Sequence, residues 1–164
     1  MQRLLYVYIL ITTLLLSTAS FAAGKKQDVS DIQQVMESFH RAVVAHDGGR
    51  LATLFVPEGS AWFNVLSDEA YARARAKSPE AAKIRPGSYK AFANFVSSSK
   101  VALDPRHSHV KIQTDGVIAV VYFDFVFLID GKVENQGTET WQLVKGPQGW
   151  LIAAITYSSD PHEP

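Results

Sequence analysis

The sequence predicts an α+β domain in which one curved antiparallel sheet wraps a group of amino-terminal helices. Apolar residues recur at spacings of three and four through the first half of the chain, and the pattern changes to period two after Asp104-Pro105. Asp-Gly pairs at 115–116 and 130–131 then divide the second half as hairpin turns would. A length of 164 residues, 47% of them apolar and 11% aromatic, suits one globular unit. Lys and Arg balance Asp and Glu at 16 each, scattered without blocks of one sign, which removes the electrostatic footprint that nucleic-acid binding requires.

The amino-terminal segment is set apart from the fold. Arg3 precedes a mostly apolar run from Leu4 to Leu16, and small residues follow up to Ala23, as in a secretory signal. The reading is a signal peptide over residues 1–22, cut after Ala22, where Ser20 and Ala22 supply the small side chains that a signal peptidase accepts. The run is shorter than the roughly 20 residues of a spanning helix; an uncleaved anchor is the alternative. Cysteine is absent, which excludes a lipid-modified amino-terminal Cys, a thiolate nucleophile and a Cys-containing zinc site. The expected product is a periplasmic or secreted soluble protein without a membrane span once the signal is removed. It has one domain over residues 23–158 and a polar tail over 159–164.

Between Val29 and His46, the residues Ile32, Val35, Met36, Phe39 and Val43 draw one apolar stripe down a helix. Asp28 or Ser30 can cap its start, and Gly48-Gly49 can end it. A short helical turn from Arg50 to Phe55 follows. Ala61 to Leu66 reads as a strand with Trp62, Asn64 and Leu66 on one face. The Ala-, Arg- and Lys-rich stretch from Ser67 to Lys83 reads as a surface helix outside the core, with Asp68 and Glu69 placed to suit its dipole. Pro86-Gly87 closes it, and Ser88 caps a helix bearing Tyr89, Phe92, Phe95 and Val96 on one side. Strands are predicted near 107–114, 117–129 and 132–145. A longer turn, Gly146 to Gly149, leads to a last strand from Trp150 to Ser158.

Particular strings carry a family resemblance. "HDGGRLATLF", "HSHVKIQTDGVIAVVYFDF" and "GTETWQLVKGPQGWLI" resemble the first helix and turn, the His-bearing strand with its hairpin, and the closing hairpin of the nuclear transport factor 2-like superfamily, in particular its SnoaL-like branch. The resemblance spans nearly the whole chain after the signal. It implies a cone-shaped half barrel, also called cystatin-like, whose mouth encloses an apolar pocket. Some members use that pocket for cyclase, isomerase or dehydratase chemistry and others only for binding. Two histidines often follow the Trp of the family's final strand; here those positions read Ala154 and Thr156, which favours binding without catalysis.

The candidate chemical groups are few. Asp124 lies in the strongly apolar run from Tyr122 to Phe127, where burial would raise its pKa and make it a general base; the bland reading is an outward carboxylate paired across the sheet. Glu139 shares a strand face with Trp141 and Leu143 and lines the pocket if that face is inward. His40 lies beside the stripe of the first helix, where it can look into the mouth or sit at a wet boundary. His107 and His109 have the two-residue spacing of a metal pair, yet no third ligand is evident, so no metal and no cofactor is expected. Phe39, Trp62, Phe92, Phe95, Tyr122 and Trp141 are many large rings for one small core, as in the wall of a pocket for a small apolar molecule. Both faces of the last strand are largely apolar, which predicts a homodimer through the sheet. A third use of the chain, as a protein-interaction module, would employ the stretch from Ser67 to Lys83.

Overall fold

The computed structural model describes Gly24 and residues 26–161. The expected signal segment and its cleavage site lie outside the described residues. The elements in chain order are α1 (residues 26–44), α2 (Gly48–Ala52), β1 (Ala61–Leu66), α3 (Asp68–Lys77), β2 (Ile84–Pro86), α4 (Tyr89–Ser98), β3 (Leu103–Thr114), β4 (Ile118–Ile129), β5 (Lys132–Gly146) and β6 (Gly149–Ser159). The strands form one curved, unclosed sheet in the order β2-β1-β6-β5-β4-β3. β3 to β6 are an antiparallel meander as expected, whereas β1 joins β6 in parallel and carries β2 on its outer edge.

The α1 stripe is the inner half of the core. Ile32, Met36, Phe39 and Val43 are buried against the concave face of the sheet, where Val121, Phe123, Trp141, Leu143, Ile152 and Ile155 meet them. Each such side chain contributes roughly 1.5–3 kcal/mol when taken fully out of water. α1 begins before Val29, so neither Asp28 nor Ser30 caps it. Asp28 is instead a buried residue of the first turns, and Lys145 of β5 donates to its carboxylate, tying the helix to the sheet.

The break after α1 differs from the sequence reading in a physically informative way. The left-handed residue is His46, at φ 55°, and its Nδ1 donates to the Val96 carbonyl of α4. Gly48 and Gly49 do not end α1; they open α2, whose cap is Asp47 accepting from Arg50 N. Gly48 is required by proximity, because a Cβ there would lie 2.1 Å from the Ala93 carbonyl oxygen of α4. The Ser67 and Ser88 caps form as the sequence indicates, accepting from Ala70 N and Ala91 N. The helix is shorter than the whole Ser67 to Lys83 stretch, ending at Lys77, and the chain beyond Lys83 returns as β2 against β1.

Hairpin chemistry divides likewise. Asp130 and Gly131 both take positive φ, as a two-residue turn needs, but at the other hairpin only Gly116 does. There Asp115 works through its carboxylate, which accepts from Val117 N and Ile118 N. The turn before β6 is tighter than expected: Gly146 and Gly149 pair across Pro147-Gln148. β6 runs on to Ser159, which is buried and donates to Asn135, so the fold continues into the segment read as tail.

Three irregularities of register decide which residues look inward. They fall between Ser108 and Lys111 on β3, at Phe127/Leu128 between β4 and β5, and at Gln142/Leu143 between β5 and β6. An extra residue in one strand reverses its alternation beyond that point. On β6, Trp150 and Ile152 are buried before the irregularity, and Ile155 and Ser159 after it, with Tyr157 half-buried between them. Asn64, Tyr157, Glu139 and Phe123 consequently form one row across β1, β6, β5 and β4.

The closeness of α2 and α4 yields a stability test. Gly48→Ala is expected to lose about 3 kcal/mol in urea denaturation, at the upper end of what overpacking costs. Gly49→Ala, whose added carbon meets only the Asp47 carboxylate at 3.5 Å, should stay within about 0.5 kcal/mol of wild type. Equal stability of the two variants would contradict the close approach.

Candidate functional site

The concave face and α4 enclose a cavity of about 490 Å³. Phe39 from α1, Trp62 from β1, Phe92 and Phe95 from α4, and Phe125 and Phe127 from β4 supply its apolar wall. The rings brace one another: Phe39 stacks with Phe92 at 6.0 Å between centroids, and Trp62 tilts against Phe92 at 5.4 Å. Gly87 leaves room for the Trp62 indole, since a Cβ there would come within 2.8 Å of its Cδ1.

Set deep into this wall is the carboxyl group of Glu139, while Glu134 and Arg85 stand on exposed parts of the lining. Glu139 lines the cavity, and the Trp141 indole N–H donates to its Oε1 at 2.6 Å. Burial pushes the Glu139 carboxyl up from the ordinary 4.5 to about 7, with the indole hydrogen bond partly opposing the rise. His107, from β3, is another titratable group on the wall. Its ring packs 4.6 Å from Phe123 and 5.9 Å from Trp141, and burial, reinforced by nearby His40, holds it down from 6.5 to about 4. Near neutral pH the cavity therefore offers a neutral imidazole and a carboxyl poised between its two protonation states. Such a carboxyl can donate a hydrogen bond, accept one, or take a proton from a carbon acid.

Of the residues singled out from sequence, Glu139, Phe39, Trp62, Phe92 and Phe95 meet at the cavity. Trp141 is fully buried behind Glu139 and acts on the cavity through it. Asp124 is a correction. β4 keeps strict alternation here, Phe123 and Phe125 pointing in, so Asp124 stands on the outer face with Tyr122. It accepts from His109 Nδ1 at 2.8 Å and is no base for the cavity, and Tyr122 is no part of the wall. His40 is a second correction. Its Nδ1 donates to the Pro105 carbonyl at 2.7 Å, and it faces a separate groove with Gln33, Met36 and Arg41, partitioned from the cavity by Pro105 and His107.

The histidine pair fails to form for a reason the spacing hides. His109 takes φ 52° at the β3 irregularity, which turns it to the outer face while His107 stays inside. Sequence reasoning also missed Asn64, Asn135 and Tyr157, all on the cavity wall. Asn64 could have been found from its face, shared with Trp62. Tyr157 could not, because only the β6 irregularity brings it inward. The residues of β6 beyond Ile152 that line the cavity are thus Tyr157 and Ser159, so the occupancy of positions 154 and 156 does not count against chemistry.

No protein-family model matches the chain, and no curated protein matches it. Solved structures do. A nuclear transport factor 2-like protein with a cystatin-like fold from Novosphingobium aromaticivorans superposes with a TM-score of 0.64 at 12% identity, over 87% of this chain and 88% of that one. A protein of unknown function from Mycobacterium tuberculosis gives 0.63 at 16%, over 85% and 75%. A third, from N. aromaticivorans and assigned provisionally as a scytalone dehydratase, gives 0.61 at 14%, over 87% and 93%. The chain has the nuclear transport factor 2-like, cystatin-like fold. At such identities the likeness is one of fold.

The two perturbed groups make opposite contributions to stability. Glu139 holds its proton in the folded state as pH rises from 4.5 to 7, so folding weakens over that window, by about 3 kcal/mol in all. His107 resists protonation, so folding weakens as pH falls from 6.5 to 4, by about the same amount. In urea denaturation, Glu139→Gln is expected to gain stability with rising pH between 4.5 and 6.5, and His107→Gln to lose it. Parallel pH profiles for the two variants would refute the assignment.

Proposed function

We propose that the chain is an exported domain that binds a small, largely apolar or aromatic molecule in the cavity, with Glu139 as its polar anchor. The observation that carries this reading is the buried Glu139 carboxyl, its pKa raised to about 7, set among Phe39, Trp62, Phe92 and Phe95. The volume falls within the range of small-molecule pockets, which are mostly apolar with a few placed polar groups. The carboxyl in its neutral form donates to a carbonyl or hydroxyl oxygen of the ligand, while the rings bury its body. The reading calls for no metal and no cofactor.

A second reading is favoured by the same carboxyl. With a pKa near the working pH and a neutral His107 on the same wall, Glu139 is suited to move a proton on a bound carbonyl compound, as in isomerase, cyclase or dehydratase chemistry. Asp124 and His40 have no part in it.

The outer sheet face supports the homodimer. Ile118, Val120, Tyr122 and Phe63 are each at least 40% exposed there, and Thr138, Thr140, Gln142 and Thr156 continue an uncharged surface on β5 and β6. A second copy related by a two-fold axis covers such a face with the same face. No described helix is long and apolar enough to cross a membrane.

Native mass spectrometry of protein recovered from the periplasm tests these proposals together. The expected species is a dimer of chains beginning at Ala23 and carrying a small organic compound. A monomer at micromolar concentration would remove the association, and an intact amino terminus the export.

The compound released from that complex separates the two functional readings. Carriage predicts that wild type returns it unchanged and binds it less tightly above pH 7, while Glu139→Gln, with a permanent amide donor, binds it equally at all pH values. Catalysis predicts turnover that rises with pH through 7 and falls at least 100-fold in Glu139→Gln. Binding indifferent to both pH and the substitution would defeat the role of Glu139.

A further inference from the structure

The cavity holds a polar pair that the anchoring role of Glu139 does not use. Asn64 and Tyr157 are register partners on β1 and β6, and both line the cavity. Tyr157 is in turn the partner of Glu139 on β5, so the three inward side chains form one row with Tyr157 in the middle. Adjacent strands are about 4.8 Å apart, which puts Asn64 about 10 Å of sheet away from Glu139.

The pair is incompletely satisfied. Asn64 Nδ2 donates to the Tyr157 hydroxyl oxygen at 3.1 Å. The Tyr157 ring is held edge-on by Phe125 at 5.7 Å and by Trp62 at 6.3 Å, so its hydroxyl cannot swing away. Asn64 Oδ1 is buried and has no hydrogen-bond partner among the described residues. The Tyr157 proton likewise reaches no acceptor among the described residues, its oxygen being occupied by the amide. Burying an amide with an unmatched oxygen is unfavourable, and a Leu opposite a Phe would fill the same place without that penalty.

We infer that Asn64 and Tyr157 form a second polar subsite of the cavity, which receives a hydroxyl group at the end of the ligand remote from Glu139. The inference rests on the pocket reading above and names the class of ligand: an apolar body of about two fused rings with an oxygen function at each end. A hydroxyl is the group that fits, because it accepts the Tyr157 proton and donates its own to Asn64 Oδ1 once the amide turns about its last torsion. It also fits the amide with oxygen and nitrogen exchanged, since it can accept where it had donated. A hydroxyl, as both donor and acceptor, serves the Tyr157 proton and either face of the amide, whereas an acceptor-only group leaves Asn64 Oδ1 unmatched.

Calorimetric titration with 2-naphthol and 2,6-dihydroxynaphthalene tests the subsite. These probes share one rigid body and differ by one hydroxyl at its far end. Wild type is expected to bind the diol roughly fivefold to tenfold more tightly than the mono-ol, the worth of one added hydrogen bond. Tyr157→Phe, which keeps the ring contacts, should erase that advantage, and Asn64→Leu should do the same. Glu139→Gln, by contrast, should shift both probes alike, so the anchor and the subsite are read separately. Equal affinity of the two probes for wild type overturns the subsite, as it would if an ordered water alone filled it. A diol advantage that survives Tyr157→Phe overturns it as well. If neither probe binds, the pocket reading fails and the subsite with it.

Discussion

The packing of Trp141 is the interaction on which the rest of the structure depends. This fully buried indole lies 5.0 Å from Phe39 of α1, 5.4 Å from Phe123 of β4 and 5.9 Å from His107 of β3. It thereby joins the helix stripe to three neighbouring strands at the middle of the concave face. Its N–H, which needs an acceptor once buried, finds one in Glu139 two residues away on the same face. A single side chain thus organises the core and holds the Glu139 carboxyl in place.

Curvature decides what that carboxyl meets. A sheet that wraps a helix must bend sharply, and it does so by admitting extra residues at a few points. Each extra residue changes the face of everything beyond it. The irregularity on β3 sends His107 and His109 to opposite faces, and the one between β5 and β6 turns Tyr157 inward beside Glu139. The chemistry of the cavity is therefore a product of the bending: the same strands laid flat would pair His107 with His109 and present Thr156 where Tyr157 now stands.

The cavity and the outer face are also separated by this geometry. Asp124 and Tyr122, conspicuous in sequence for lying in an apolar run, belong to the outer surface because β4 is regular up to Phe127. The apolar run that contains them serves two faces at once, Phe123 and Phe125 inside, Ile118 and Val120 outside. Such a strand reads as uniformly buried although only half of it is. The carboxyl whose pKa burial raises is that of Glu139, in a segment of Thr, Gln and Gly that looks polar.

The sequence by itself determined the main helices and the long strands, though not β2. The period of three and four in α1, the Ser67 and Ser88 caps, the change to period two and the Asp-Gly turns are local signals, and local hydrogen bonding and side-chain spacing suffice to fix them. It also determined the aromatic half of the cavity wall, because Phe39, Trp62 and Phe92 lie on the apolar faces of regular elements whose inward direction follows from burial. Only the tertiary structure decided the polar half. Whether Glu139, Asn64, His107 and Tyr157 meet depends on strand register and on where the sheet takes up its extra residues. Those are set by the fit of the whole bent sheet around α1, a long-range condition that no short stretch of sequence records.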